Sequence, residues 1–377
     1  MIDRYQSPEI ARIFSPSVKY RWWFIISLTI LRLELGINPD HPDFDHFDLM
    51  VRKILSEDSI EAAVLAAEEI TNHDVMAFLG VFEELVHKYG NPEWVKSIHK
   101  KTTSSDIVDT AMAAITHHAA EFLNVQLSAL TDWYGMMADK DHRMVAARTH
   151  GQIALPAPAA ERWIRFSRDI RDWGECRPLP GKIGGPTGLE FTDYEISMVS
   201  RLLELSLVPR GLNQCVSRHL YAEFMGRLKN LSGVLESHAT IIRLHMIEGV
   251  SEYQIHRSPD HVGSSSMPHK NNPVELEKVC GMSRLVRGYE LAMSESTNLW
   301  HERDMSHSCV ERVAIEDTFH CITTQISALI QFVGKLEPVP NDAMLDRATR
   351  ATEIRSEALS DISDGSSRTS AWKATKV

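Results

Sequence analysis

The sequence predicts an all-α protein built as a bundle of long helices. Three observations carry this reading. Apolar residues recur at helical spacing along most of the chain. Several of these periodic stretches approach or exceed ~25 residues, well beyond an ordinary globular helix, as expected of helices that bury several faces in a bundle. Alternation of the strand type is nearly absent.

Taken in order, residues 9–35 form an amphipathic pattern opened by Pro8 and stopped by Gly36. Residues 40–48, "DHPDFDHFD", read as a polar break, and residues 58–70 and 74–89 as two shorter helices, the second ended by Gly90-Asn91-Pro92. "TTSSD" precedes a long pattern over 107–138, with Ser105 as the expected N-cap and Asp106 in the positive first turn. Further helices are expected over 158–175, 193–206, 211–249, 273–297 and 311–335. "GKIGGPTG" at 181–188 is a glycine-rich loop without the spacing of a dinucleotide fingerprint or the ending of a P-loop. After Pro338 the chain turns polar, and "SDGSSRTSAWKATKV" is expected to fray.

Apolar residues make up 43% of the 377 and charged residues 24%, enough for a sizeable core in one large domain or two to three smaller ones. A formal net charge of -11 argues against general nucleic-acid binding, which leans on a basic surface, but a few local cations can still dominate a cleft. Cys176, Cys215, Cys280, Cys309 and Cys321 are widely spaced, form no C-x-x-C pair and are odd in number; they read as reduced thiols in a cytosolic setting. "WWFIISLTIL" is too short to span a bilayer, and "MIDRYQSPEI" lacks the features of a signal peptide, so no membrane partner is expected.

The densest chemistry lies in "GSSSMPHKNNPVELEKV", residues 263–279. Asn272 is placed to cap a helix, Pro273 suits its first position, and Glu275 follows three residues after the cap. The preceding loop therefore feeds a helix N-terminus, where free N–H groups and the helix dipole favour an anion. Lys270 adds a full positive charge and the serines add hydrogen bonds, so the stretch reads either as a carboxylate or phosphate cradle or as an ordinary capped turn. His150, in "ARTHGQIALP", stands in an expected loop before a proline-started helix and fits a working histidine as well as a structural one. His73, beside Asp74 in "TNHDVMAF", reads first as a capping element. "LWHERDMSHSCVERV" at 299–313 gathers histidines, acids and two arginines, Arg303 and Arg312, able to hold phosphate oxygens bidentately; the plain alternative is a solvated charged turn. His41, Asp43, Asp45, His46 and Asp48 carry metal-ligand side chains at close spacing but match no known metal motif, and a solvated acidic loop is the favoured reading.

Together these stretches resemble the fumarase/aspartase superfamily. "IHKKTTSSDIVDTA", "ARTHG" and "GSSSMPHKNNP" occur in that family's order, and "MIDRYQSPEIARIFS", "TNHDVMAF" and "LWHERDMSHSCVERV" are similar to its adenylosuccinate lyase branch over residues 1 to about 335. The resemblance implies a mostly helical, three-part subunit: 1–92, a central long-helix bundle over 93–337, and a shortened, partly disordered segment over 338–377. It further implies a homotetramer with a twenty-helix core and active sites shared between subunits. The implied reaction is β-elimination of fumarate from adenylosuccinate, or from the related succinylaminoimidazole carboxamide ribotide, with neither metal nor organic cofactor. Ser264 would then remove the proton beside a succinyl carboxylate, and His150 would protonate the departing nitrogen. Lys270 and Asn272, helped by Thr103 and Ser104, would hold the carboxylate. His73 with Asp74, and His99, would line the pocket; Arg4, Tyr5, Arg303, Ser308 and Arg312 would contact the nucleotide phosphate; Gln214 would sit near the base. Lys100, Lys101 and Asn271 depart from the residues common in the family. A relative acting on another amine, such as an argininosuccinate lyase, and a non-catalytic structural relative stay open on the sequence.

Overall fold

The computed structural model describes residues 1–256, 267 and 270–374. The chain forms two compact units, each gathered from three separated stretches. The first comprises 1–124, 175–229 and 285–323; the second comprises 125–174, 230–284 and 324–377. Helices dominate both, and none among the described residues is long and apolar enough to cross a membrane.

The chain opens with a 3-10 turn at Asp3–Tyr5 and then α1 (Pro8–Ile13) and α2 (Pro16–Glu34), where a single helix over 9–35 was expected. The break has a local cause. Ser7 and Ser15 each precede a proline; each side chain accepts a backbone N–H three residues on, and each proline takes the first helical position. The second Ser-Pro thus starts a new helix. Helix α2 buries Tyr20, Trp23, Phe24, Leu28 and Leu31 against α5 and its neighbours, with Phe24 and Phe78 edge to face at 4.8 Å. The polar break at 40–48 is a second correction, because α3 (Phe44–Leu55) begins inside it. Phe47, Met50 and Ile54 are buried at helical spacing, while Asp45 and His46 lie on the wet side. Among the described residues no group of acids, histidines or cysteines is placed to hold a metal. Next come α4 (Ile60–Thr71) and α5 (Asp74–Tyr89), close to the expected spans, then a 3-10 stretch at Pro92–Ser97.

Helix α6 (Ser104–Lys140) begins before the expected position, and Ser105 lies buried within it rather than capping it. The strands β1 (Met144–Thr149) and β2 (Gln152–Pro158) form an antiparallel hairpin where a loop was expected. Its turn is His150-Gly151, with φ of 53° and 73°, the left-handed pair that closes a two-residue hairpin. There follow α7 (Ala160–Trp173), α8 (Asp193–Leu203), α9 (Arg218–Leu244), β3 (Tyr253–Ile255), α10 (Val274–Glu295), α11 (Ser306–Val333) and β4 (Leu336–Pro338). Helix α9 starts seven residues later than the expected 211 and ends before 249, because Val216 and Arg218 are engaged by acids of other helices. Strands β3 and β4 pair antiparallel within the second unit. The polar stretch after Pro338 is helical in α12 (Asp342–Ser363), and within 363–377, expected to fray, α13 (Arg368–Ala374) forms. Helix α12 lies against both strands of the hairpin, which explains its order: burial of Ala348 and Ala358, not propensity, holds it.

Candidate active site

In the first unit, the start of α5 is built by its own sequence. His73 is the N-cap, and its Nδ1 accepts the Met76 N–H at 3.3 Å, so the capping reading holds. The ring stands half out in solvent. Asp74, in the first turn, receives Arg312 of α11 at 3.0 Å. The two residues line a cavity of about 170 Å³ together with Lys19, Trp23 and Glu311. Burial pulls the Lys19 ammonium below its ordinary pKa, with Asp74 opposing.

The start of α6 is a second focus. Thr103, not Ser105, precedes the first helical residue, and its N–H donates to the Asp106 carboxylate at 2.7 Å, the backward half of a capping box. Asp106 also receives Lys182 at 2.7 Å and the N–H groups of Gly184 and Gly185 at 2.9 and 3.1 Å. The glycine-rich loop is therefore a brace on the helix start. Burial raises the Asp106 carboxyl above its ordinary value, while Lys182 and these N–H groups pull it back. Gln214 donates to Thr103 Oγ1 at 2.8 Å, so two expected site residues do meet. His99, at φ 56°, shares a 2.7 Å hydrogen bond between its Nδ1 and Thr102 Oγ1, and burial lowers its pKa. Ser104 is the first residue of α6.

The first turns of α11 carry Ser308 and Arg312, with half-buried Arg303 just ahead. Between them lie residues that no sequence motif marks. Glu311 is held by Arg218 Nε at 2.7 Å and Nη2 at 3.1 Å, and Asp109 of α6 receives Nη1 and Nη2 at 3.0 Å each. Asp109 also takes the Val216 N–H at 2.8 Å. Burial pushes the Glu311 carboxyl up to about 7 against the pull of Arg218, and burial brings His307 down to about 4. The signal available in the sequence was an acid set among apolar neighbours in each helical run: Asp109 in "DIVDTAM" and Glu311 in "SCVERVAI". Arg4 is exposed in the opening 3-10 turn, beside half-buried Tyr5.

In the second unit, His150 stands exposed at the hairpin tip. Lys270 is exposed and half-buried Asn272 lies just before α10, which begins one residue later than the expected Pro273. Ser264 lies outside the described residues. A cavity of about 680 Å³ is lined by Arg148, Gly151, Arg162, Arg165 and His245 among others, and neither His150 nor Lys270 lines it. Three of these residues, Arg148, Arg162 and His245, engage the buried carboxylate of Glu252 at 3.1, 2.9 and 3.1 Å. All five cysteines are free thiols, and four of them are buried.

Comparison with known proteins adds an independent line. Residues 50–288 match the family described as "Lyase". The chain is 32% identical to an adenylosuccinate lyase of Synechocystis, across 86% of this chain and 74% of that one. It is 30% identical to the adenylosuccinate lyase of Archaeoglobus fulgidus, across 93% and 80%. Among solved structures, a fumarate lyase from Mesorhizobium superposes with a TM-score of 0.76 at 18% identity, over 98% of this chain and 85% of that one. A 3-carboxy-cis,cis-muconate lactonizing enzyme from Pseudomonas putida gives 0.74 at 20% identity, over 99% and 85%, and these two matches speak to the fold. On the span of the family match and the depth of these identities, the chain belongs to the lyase family of the fumarase/aspartase superfamily and is a lyase.

Proposed function

We propose that this lyase cleaves adenylosuccinate to AMP and fumarate, and acts likewise on the succinylaminoimidazole carboxamide ribotide. The observation that carries the reading is the run of relatives named adenylosuccinate lyase, at 28–32% identity over 84–93% of the chain. The chain also keeps Ser264, His150 and Lys270 alongside the phosphate-type set Arg303, Ser308 and Arg312.

In this reading the Ser264 hydroxyl, as alkoxide, takes the proton from the carbon beside a succinyl carboxylate. Negative charge then builds on that carboxylate, and Lys270, Asn272 and the N-terminus of α10 are the groups of this chain suited to stabilise it. One well-placed donor of this kind is worth about 3 kcal/mol of barrier. The carbon–nitrogen bond breaks as the double bond of fumarate forms, and His150 delivers a proton to the departing nitrogen. Arg303, Ser308 and Arg312, with Arg4 and Tyr5, bind the 5′-phosphate. His73, His99, Thr103, Ser104 and Gln214 line the pocket, and Asp74 orients Arg312 through their 3.0 Å pair. The working form is a cytosolic homotetramer whose active sites draw on neighbouring subunits. Its subunit is three-part, divided at 1–92, 93–337 and 338–377, and the reaction uses no cofactor.

The test is fumarate release from adenylosuccinate by the purified protein. Ser264→Ala and His150→Ala should each lower kcat at least a hundredfold while binding is kept. Near-normal turnover by either variant would remove the role assigned to that residue. Cleavage of argininosuccinate instead would move the substrate assignment to another amine.

A further inference from the structure

Three of the regions assigned to substrate come from distant parts of the chain: the start of α6, the 214–217 loop, and the first turns of α11. The first unit joins them through one buried side chain. Arg218 is 3% exposed, and its guanidinium spends its donors on Asp109 of α6, Glu311 of α11 and the Val216 carbonyl. Asp109 in turn takes the Val216 N–H, two residues from Gln214. Asp109 lies five residues beyond Ser104 on α6. Glu311 immediately precedes Arg312, and Ser308 sits one turn before it. Arg218 also packs over the Tyr221 ring at 4.4 Å, which fixes the plane of the guanidinium. A planar fork with two bidentate carboxylates has very little freedom, so the relative placement of the two helices follows from it.

We propose that Arg218, clamped between Asp109 and Glu311, is a positioning residue that sets the register of Ser308 and Arg312 on α11 against Thr103, Ser104 and Gln214. The proposal rests on the reading of Arg312 and Ser308 as phosphate contacts. Arg218 is buried and does not reach substrate. It acts through the backbone of α11 and through the 214–217 loop. Lysine cannot replace it, because an ammonium is a point charge and cannot grip two carboxylates in one plane.

The experiment compares the full chain with Arg218→Lys, Glu311→Gln, Arg312→Ala and the doubles Arg218→Lys/Arg312→Ala and Glu311→Gln/Arg312→Ala. Steady-state cleavage of adenylosuccinate is followed, and hydrogen exchange over 303–312 and 214–217 is measured on each folded variant. Arg218→Lys and Glu311→Gln should each raise KM at least fivefold with kcat within threefold of the parent. In the Arg312→Ala background the same changes should add less than they do alone, because the charged one of the two α11 contacts they position is already gone. Exchange should rise at 303–312 and 214–217 and stay unchanged at the 144–158 hairpin. An unchanged KM in folded variants, or full multiplication of effects in the doubles, would overturn the proposal. Should Arg218→Lys fail to fold, Glu311→Gln carries the same decision, since it keeps the side-chain volume. A parent chain inert toward adenylosuccinate would refute the substrate reading instead, and the exchange pattern would still decide whether Arg218 positions these segments.

Discussion

At the scale of single residues, the first unit depends on charges that are buried and paired. Lys182 is 1% exposed and its ammonium pairs with the carboxylate of Asp106. Lys182→Met removes the cation and leaves that carboxylate buried with only N–H donors. Such half-broken pairs cost about 3–5 kcal/mol, so a loss of this size is expected in urea unfolding, alongside a loosened Thr103. Gly188 illustrates the backbone side of the same loop. Its φ of +79° and the carbonyl oxygens of Gly211 and Asn213 leave no room for a side chain. Gly188→Ala should therefore destabilise by about 2 kcal/mol or more through backbone strain and crowding. His150 is the contrast. Its side chain is exposed, so His150→Ala should lower the urea midpoint only slightly, by the cost of alanine at its φ of 53°, and a large loss of turnover would belong to chemistry.

At the scale of elements, the order of α12 comes from its docking. Asn341 caps it, accepting the Met344 N–H at 3.2 Å and donating to the Ser251 carbonyl at 3.1 Å. Asn341→Ala should cost about 1 kcal/mol, plus whatever the lost link to Ser251 adds, read as a shift in the denaturation midpoint. Arg143 ties the same region by donating to the carbonyls of Glu252 and Val339 while paired with Asp141 at 2.7 Å. The hairpin under α12 closes through His150 in the left-handed region, a conformation that asparagine and glycine accept more readily than other residues. His150→Asn should preserve the hairpin, as judged by unchanged exchange of β1 and β2, and yet lower turnover in line with the proton-donor role proposed for His150.

At the scale of the whole molecule, stability should fall on mild acidification. His238 is fully buried, stacked on Phe166 at 4.1 Å, with its Nδ1 against Tyr134 and its Nε2 against Asp169. Burial brings it down to about 4, against the pull of Asp169. Between its ordinary value near 6.5 and this folded value, the unfolded chain binds a proton that the folded chain refuses. Stability is therefore present above the upper limit and lost as pH falls through the window. His307, also lowered to about 4, adds a slope of the same sign. Glu311, raised to about 7, contributes the opposite sign between about 4.5 and 7, since the folded chain holds that proton longer. Urea unfolding at pH 7 and pH 4.5 should show a steeper net loss in Glu311→Gln, where the opposing term is gone. The acid slope should be shallower in His238→Gln.

The sequence by itself determined the helical class, the long-helix architecture, the family and the identities of the chemical groups, because helical periodicity and the motif stretches are local in the chain. It also held signals that went unread: the second Ser-Pro starts α2, and Phe47, Met50 and Ile54 spell α3 through an acidic run. Other features were settled only in three dimensions. A polar tail became helix because a hairpin covers one of its faces, and "ARTHGQIALP" became strand because α12 packs on it. Nothing local in "DIVDTAM", "CVSRHL" or "SCVERVAI" says that Asp109, Arg218 and Glu311 share one buried guanidinium. A charge separated from its partner by about a hundred residues looks like any surface charge until folding removes the water around both.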